Sequence, residues 1–418
     1  MWWFDKIKKE YLKFLSLSYF YNRGLIVKIL VVSQNYYPEQ FRINDICSEL
    51  VKRGHDVTVL TGLPNYPQGK LFDGYENKEK RNEIINGVKV IRTYERERKS
   101  GGAINLFLNY YSFVFSSKKA VKKLDKDFDL VLVNQLSPVM QAYAALKYKK
   151  KFKVPVILYC LDLWPASLSA GGVSGGPIYK YFKNVSKKIY ISCDKLAVTS
   201  KNFKEYLSEE FGVLSEEIEY LPQYAEDIFK PNFERKESDI CNLVFAGNIG
   251  KLQGVDNIVE TAKLLQDKPI KFHILGNGSE YKHCLELAEG LKNIEFYGQR
   301  DLSEMPKFYD LADAMLVTLK HDELISKTLP GKVQTCMAAG KPIIAAGENE
   351  LKTVVEEAEC GFVAEPDSPE ALKNCILKFL DYKNKDELAR NSRKYYEQNF
   401  TKELFFNKLE KLFNEVKK

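Results

Sequence analysis

Two lysines five positions apart bracket a proline and a glycine in "KTLPGKVQTCMAAGKPIIAA" (residues 327–346), where a loop gives way to a helical run and then to an apolar strand. Pro330 suits the first turn of a helix, because the N–H that proline lacks would have no partner there. Gly340 can adopt the left-handed conformation that ends a helix. A helix start at Pro330 and Gly331 would present free backbone N–H groups beside the ammonium groups of Lys327 and Lys332. That is chemistry for a diphosphate. A solvated surface loop would also carry two such lysines, so the pattern needs a scaffold to decide it.

Carboxylates that could move a proton are few. Asp162 in "YCLDLWPAS" follows an apolar run and could position a hydroxyl or take its proton; its other use is to cap the following turn. Glu39 in "YYPEQFR" is a second candidate, with a simple pairing to Arg42 as its alternative, and Arg42 stands near a helix start from which it could reach phosphates. "LDKDFDLVLV" contains Asp-x-Asp, a metal-binding pattern, but it precedes its strand and so lies at the wrong end of a sheet. No metal and no cofactor is expected. The eight cysteines are scattered without a Cys-x-x-Cys, and four histidines add no zinc pattern, which fits reduced thiols of a cytosolic protein.

The elements that must hold these groups alternate between strand and helix. "VKILVVS", "HDVTVLTG", "VKVIRTY", "FDLVLVNQ", "VPVILYCLD" and "KLAVTS" form a first series of apolar runs, and "CNLVFAG", "IKFHILG", "IEFYGQ", "AMLVTL", "KPIIAA" and "CGFVAE" form a second. Continuous apolar runs are the mark of parallel strands covered on both faces. At 418 residues the chain is too long for one core. The reading is α/β: two Rossmann-like, doubly wound domains facing an inter-domain cleft, with the strand-end loops of both lining it. The join falls in the proline-bearing, polar stretch 219–239, giving an N-terminal domain over 27–222 and a C-terminal one over 240–397. A long charged helical stretch follows from about 384, and its last part, about 398–418, is expected to pack back on the first domain.

The chain is mildly basic, with 63 Lys and Arg against 56 Asp and Glu, which suits phosphate groups on a ligand or a membrane. Residues 1–26 place Trp3, Phe4, Ile7, Tyr11, Phe14 and Leu15 on one helical face and lysines on the other, as in a helix lying in a membrane interface. The segment is alternatively an appendage, since Val27 looks like a domain start. "NLFLNYYSFVFSSKKAVKK" (105–123) reads as a core helix or as a second lipid-facing patch. There is no spanning apolar run and no signal peptide.

These motifs together carry a resemblance. "VSQNYYPE", "RGHDVTVLTGLPNYPQG", "LDLWPAS", "GNIGKLQG", "LGNGSE" and "LPGKVQTCMAAGKPIIAA", in this order, resemble GT-B glycosyltransferases of the large retaining family 4, in the branch of bacterial polysaccharide transferases that includes fucosamine transferases. The resemblance runs over roughly residues 27–400. The family's diphosphate-binding arginine and lysine fall here on Asn248 and Gln253, and its two glutamates on Lys327 and Thr335, so those charges are missing. Lys327 and Lys332 would replace the phosphate charge. Asn248, Gly250, Gln253, Gly276, Gly298, Pro330, Gly331 and Arg42 complete the implied donor side, and Tyr36, Tyr37, Asn65, Tyr66 and Trp164 the acceptor side. Leu161 stands where the family often has histidine before Asp162.

The resemblance implies a metal-independent retaining transferase acting on a UDP-sugar, with N-acetylfucosamine as one donor, and on a polyprenyl-diphosphate-linked glycan. It would work at the cytoplasmic face of the inner membrane, in capsule, O-antigen or exopolysaccharide synthesis, with no nucleic-acid partner. No protein nucleophile is assignable. In the family the donor diphosphate is thought to help draw off the acceptor's proton. Two rivals stay open: a UDP-sugar epimerase of the same fold, and an inactive partner subunit that has lost the family's charged positions.

Overall fold

The computed structural model describes residues 26–417 apart from 77, 100–101, 172, 174 and 234–237. All of the N-terminal amphipath except Ile26 therefore lies outside the described residues.

The chain forms two compact units. One takes the chain up to Ala197 with Phe211–Ile218 and Glu410–Lys418; the other takes Val198–Glu210 and Glu219–Leu409. Val198–Glu210, which the sequence reading placed in the first domain, sits with the second unit, as do 219–222 and most of the C-terminal stretch. The charged C-terminal stretch is two helices, Lys385–Asn399 and Lys402–Val416, broken where Phe400 turns into the core. The last of them returns to the first unit only from Glu410, where Phe413 meets His55 edge-on at 6.1 Å.

The first sheet runs β3-β4-β2-β1-β5-β6-β7-β8. Its strands are β1 Lys28–Val32, β2 Asp56–Thr61, β3 Asn82–Ile85, β4 Val88–Arg92, β5 Leu130–Gln135, β6 Val156–Cys160, β7 Lys195–Val198 and β8 Ile218–Tyr220. The central members β1, β5 and β6 are buried almost throughout, as continuous apolar runs require. Two strands escaped the sequence reading. β3 pairs antiparallel with β4 through Asn86-Gly87, both at positive φ (50° and 80°), the combination a two-residue hairpin turn needs. β8 is a three-residue edge.

The second sheet runs β11-β10-β9-β12-β13-β14, from β9 Cys241–Ala246, β10 Ile270–Leu275, β11 Ile294–Gly298, β12 Ala314–Thr318, β13 Ile343–Ala346 and β14 Gly361–Ala364. Every recorded pairing in it is parallel. The order reverses between β9 and β12, and in such sheets ligands bind beyond the strand C-termini at that reversal. In the first sheet the corresponding reversal lies between β1 and β5. The loops after β1, β5, β9 and β12 are thus where chemistry is expected.

The Asp-x-Asp stretch lies at the opposite edge. Lys28 reaches Asp125 at 3.1 Å and Asp127 at 2.8 Å, and its backbone N–H donates to Asp129 at 2.7 Å. These carboxylates tie β1 to β5 at the strand starts.

Candidate functional site

In the second unit three glycine loops interlock. Gly247 N–H donates to Leu275 O (3.0 Å), Ile249 N–H to Asn277 O (2.9 Å), and Gly276 N–H to Gly298 O (2.9 Å). A side-chain carbon at Gly276 would lie 1.8 Å from the Gly247 carbonyl oxygen, and one at Gly278 would lie 2.4 Å from that of Ile249. The backbones approach too closely for any residue but glycine. Loop 247–250 is largely exposed, with Asn248 at its outer side and Gly250 starting the turn that leads through Gln253 to Gly254.

The stretch that opened the sequence analysis fits beneath this loop. Pro330 is the N-cap and Gly331 the first residue of helix Gly331–Ala338, and Gly340, at φ 64°, takes the left-handed turn after it. Lys332 sends its ammonium inward: Nζ donates to Gln253 Oε1 at 2.9 Å and lies 4.0 Å from the centre of the Phe245 ring. A side-chain carbon at Gly247 would meet that nitrogen at 3.1 Å. The stem of Lys332 keeps some exposure, while burial of the charged end pushes its pKa down to about 8. No carboxylate lies within ion-pair distance of it among the described residues, so its charge is held by an amide and a ring face. Lys327 ends the short turn before Thr328, is partly exposed, and its carbonyl accepts the Ser200 hydroxyl. Thr335 donates to Gly331 O at 3.2 Å.

In the first unit the two expected carboxylates behave differently. Glu39, in the loop after β1, is buried and saturated. Its Oε1 accepts the N–H groups of Asn65 (2.9 Å) and Tyr66 (2.7 Å), and its Oε2 accepts the Tyr36 N–H (3.2 Å) and the Asn35 amide (3.1 Å). The four acceptor positions of a carboxylate are then used. Glu39 clasps the loop after β1 to the loop after β2. Asp162, two residues past β6, accepts hydroxyls from Ser137 and Ser167 and the N–H of Leu163; it is partly exposed, and burial raises its pKa above the ordinary range.

The aromatic expectations divide. Tyr37 and Tyr66 are 44% and 41% exposed and can meet a ligand. Tyr36 lies in the core with its hydroxyl on the Cys47 thiol, and Asn65 is buried too, its side chain bonded to Leu63 O and to Glu95. Trp164 is buried edge-on to Tyr110 and Phe182. Arg42 opens helix Arg42–Lys52 and its charge acts on Tyr159.

Sequence reasoning missed a buried carboxyl nearby. Glu95 Oε1 accepts amides from Gln34 (2.9 Å), Asn65 (3.2 Å) and Asn109 (2.7 Å), while Oε2 has no partner. A side-chain carbon at Gly62 would fall 1.6 Å from that oxygen. Burial lifts the Glu95 pKa to about 8, so the group is neutral at pH 7. Arg98, three residues on, rests against Tyr66 and Tyr110. Within the run "TYERERK" no residue type announces which members turn inward.

Comparison with known proteins adds to this geometry. Residues 41–223 match the family model described as Glycosyltransferase Family 4, and residues 241–382 match Glycosyl transferases group 1. WcaI of Escherichia coli K12, assigned by name to glycosyl transfer in colanic acid biosynthesis, is 26% identical over 94% of this chain and 100% of its own length. WbjE of Pseudomonas aeruginosa, named as a glycosyltransferase, is 24% identical over 72% of this chain and 77% of its own. Among solved structures, sucrose-phosphate synthase of Thermosynechococcus elongatus superposes with a TM-score of 0.72 at 16% identity, covering 93% of this chain and 99% of that one. Anabaena HepE, solved with UDP and glucose, gives 0.67 at 15% identity over 93% and 99%.

Proposed function

The chain belongs to the group 1, family 4 glycosyltransferases of GT-B fold, and from that premise we propose that it moves a sugar, with retention, from a UDP-sugar to a lipid-linked acceptor in bacterial surface-polysaccharide assembly. The observation that carries the donor half is the Lys332 ammonium beneath the Gly247 loop, bonded to Gln253. Gln253 is the position at which the resemblance puts the family's lysine. The Lys332 ammonium lies 2.9 Å from the side chain at that position and would supply the charge from the other loop. A UDP diphosphate over loop 247–250 would meet that charge, the free N–H groups opening helix Gly331–Ala338, and Lys327. Stabilising the leaving diphosphate in this way is commonly the largest catalytic contribution. An N-acetylated sugar such as N-acetylfucosamine is the donor we favour. On the acceptor half Asp162 takes or orients the proton of the incoming hydroxyl, with burial raising its pKa above the ordinary aspartate value.

A membrane-bound acceptor finds support on the first unit. Helix Ala103–Ala120 exposes Ile104, Phe107 and Phe115, and Phe107, Tyr111 and Phe115 stack as a ladder with ring centres 4.4 and 6.1 Å apart. Tyr111 also bonds Tyr181 of helix Gly176–Ser192, which exposes Ile178 beside it. Exposed Lys119, Lys180 and Lys187 lie on the same two helices. An aromatic face flanked by lysines suits an anionic bilayer surface. No helix among the described residues is long and apolar enough to cross a membrane. The double variant Phe107→Glu, Phe115→Glu should lose most sedimentation with phosphatidylglycerol vesicles while UDP affinity stays unchanged. Unaltered sedimentation would remove this face from consideration.

The reaction itself is tested with radiolabelled UDP-N-acetylhexosamines, with and without an extract of lipid-linked glycans. Label passing into the lipid fraction only when acceptor is added supports transfer. Conversion of the UDP-sugar without acceptor would make the protein an epimerase, and UDP binding without turnover would make it an inactive partner.

A further inference from the structure

In the segment that leaves β4, Thr93 and Glu95 are buried, Tyr94 is exposed, and residues 96–98 are all partly exposed. Arg98 is held from several sides. Its backbone N–H donates to Asn65 Oδ1 at 3.3 Å and its Nε to Asn109 Oδ1 at 3.3 Å. The guanidinium carbon lies 5.2 Å from the centre of the Tyr66 ring and 5.6 Å from that of Tyr110. Among the described residues no carboxylate comes within 4.0 Å of it, and its two terminal nitrogens bond no protein acceptor while remaining open to solvent.

The neighbouring acids feel its charge but make no ion pair with it among the described residues. Glu39 spends its oxygens on four N–H groups, and Glu95 is caged by three amides and uncharged at neutral pH. A cation placed by an amide and two ring faces, with both ends of its fork unused, is preorganised for a bidentate oxyanion. Its position identifies the source. Tyr110 belongs to the helix whose other residues, Phe107, Tyr111 and Phe115, form the lipid-facing ladder. Tyr110 also meets Trp164 edge-on at 6.4 Å and feels the charge of Asp162. One helix turn therefore joins the membrane face, the guanidinium and the proposed base.

Resting on the functional reading above, we infer that Arg98, braced by Tyr66 and Tyr110, binds the diphosphate of the lipid-carried acceptor and so sets its glycan against Asp162. The specificity this gives is for a phosphorylated carrier. A neutral lipid glycoside would leave the fork empty.

Farnesyl diphosphate in detergent serves as the probe, with farnesyl monophosphate, farnesol and phosphatidylglycerol vesicles as comparison arms, all against the full chain. The wild type should bind farnesyl diphosphate more tightly than the monophosphate, and farnesol weakly. Arg98→Gln, which keeps a group able to bond Asn109, should lose about tenfold or more of the diphosphate affinity, as for a charge-assisted contact. Arg98→Lys should fall between, and UDP affinity should hold in both. Equal diphosphate affinity in the wild type and Arg98→Gln overturns the inference, as does a loss confined to vesicle binding, which would assign the arginine to bulk headgroups. If Arg98→Gln does not fold, Arg98→Lys decides, since unchanged affinity there excludes a fork-specific contact. Transfer assays separate this from the functional reading: activity of Arg98→Gln on lipid-diphosphate glycans with an unchanged KM rejects the anchor and leaves the transferase standing.

Discussion

Lys332→Met is expected to weaken UDP binding by roughly 1.5–3 kcal/mol, about 10- to 150-fold, and at the same time to make the free protein melt at a higher temperature at pH 7. Both effects have one cause. In the free protein the Lys332 ammonium is buried against Phe245 and Gly247 with only an amide oxygen as partner, and its pKa is pushed down to about 8. Below that pH the folded state carries a poorly compensated charge that the unfolded chain hydrates freely. Between about 8 and the ordinary lysine value of about 10.4 the unfolded chain binds the proton that the folded chain has released. Stability contributed by this group therefore rises with pH across that window and is least at neutrality. Methionine fills similar space without the charge.

A bound diphosphate reverses the balance, because an anion beside the ammonium favours its protonated form. UDP binding at pH 8–9 should consequently take up a fraction of a proton, read by calorimetry in two buffers of different ionisation enthalpy. The Met variant should show no uptake. Wild-type UDP affinity in the variant, or binding without proton uptake in the native protein, would sink the phosphate role of Lys332.

How much of this was legible depends on whether neighbours in space are neighbours in sequence. The core strands were, because a parallel strand covered on both faces needs an apolar centre, as the uninterrupted apolar runs 29–32 and 130–133 supply. β3, whose residues are half exposed and polar at one end, offered only the Asn-Gly turn after it as a signal. Lys332 was legible because proline, glycine and lysine at a helix start is a local pattern. That its ammonium would turn inward to Gln253, 79 positions away, was not. Glu95 and Arg98 sit in a run that looks like a solvated charge cluster. Their roles are set by Gln34, by Gly62 and Asn65, and by Asn109, which come from three separate segments. Tyr36 and Glu39 were placed on a ligand surface because aromatic and acidic residues in a strand-end loop suggest one. Four backbone and amide donors converging on one carboxylate, and a thiol waiting for the tyrosine hydroxyl, cannot be read from spacing.

Asp162→Asn is expected to lower kcat by about 10²- to 10⁴-fold, the usual contribution of a positioned acid or base, with UDP affinity and melting temperature preserved or raised. The side chain accepts two serine hydroxyls and the Leu163 N–H, and an asparagine carbonyl can accept much the same set. Burial holds the Asp162 pKa above its unfolded value, so the folded state binds its proton more tightly. The group's contribution to stability is then fully present below the ordinary aspartate pKa and falls as pH climbs to the raised one, which leaves the neutral amide no worse placed at pH 7. In the wild type, transfer should rise with pH along a limb lying above the ordinary aspartate range, as the carboxylate becomes free to take a proton. That limb should be missing from the residual activity of the Asn variant. A Ser137→Ala variant removes one hydroxyl and should move the limb further up in pH, because a donor to the charged form is lost. An Asn variant that turns over at the native rate, or one that keeps the native pH profile at reduced rate, would identify Asp162 as a cap on the turn after β6 and return the search for the proton acceptor to the donor's own diphosphate.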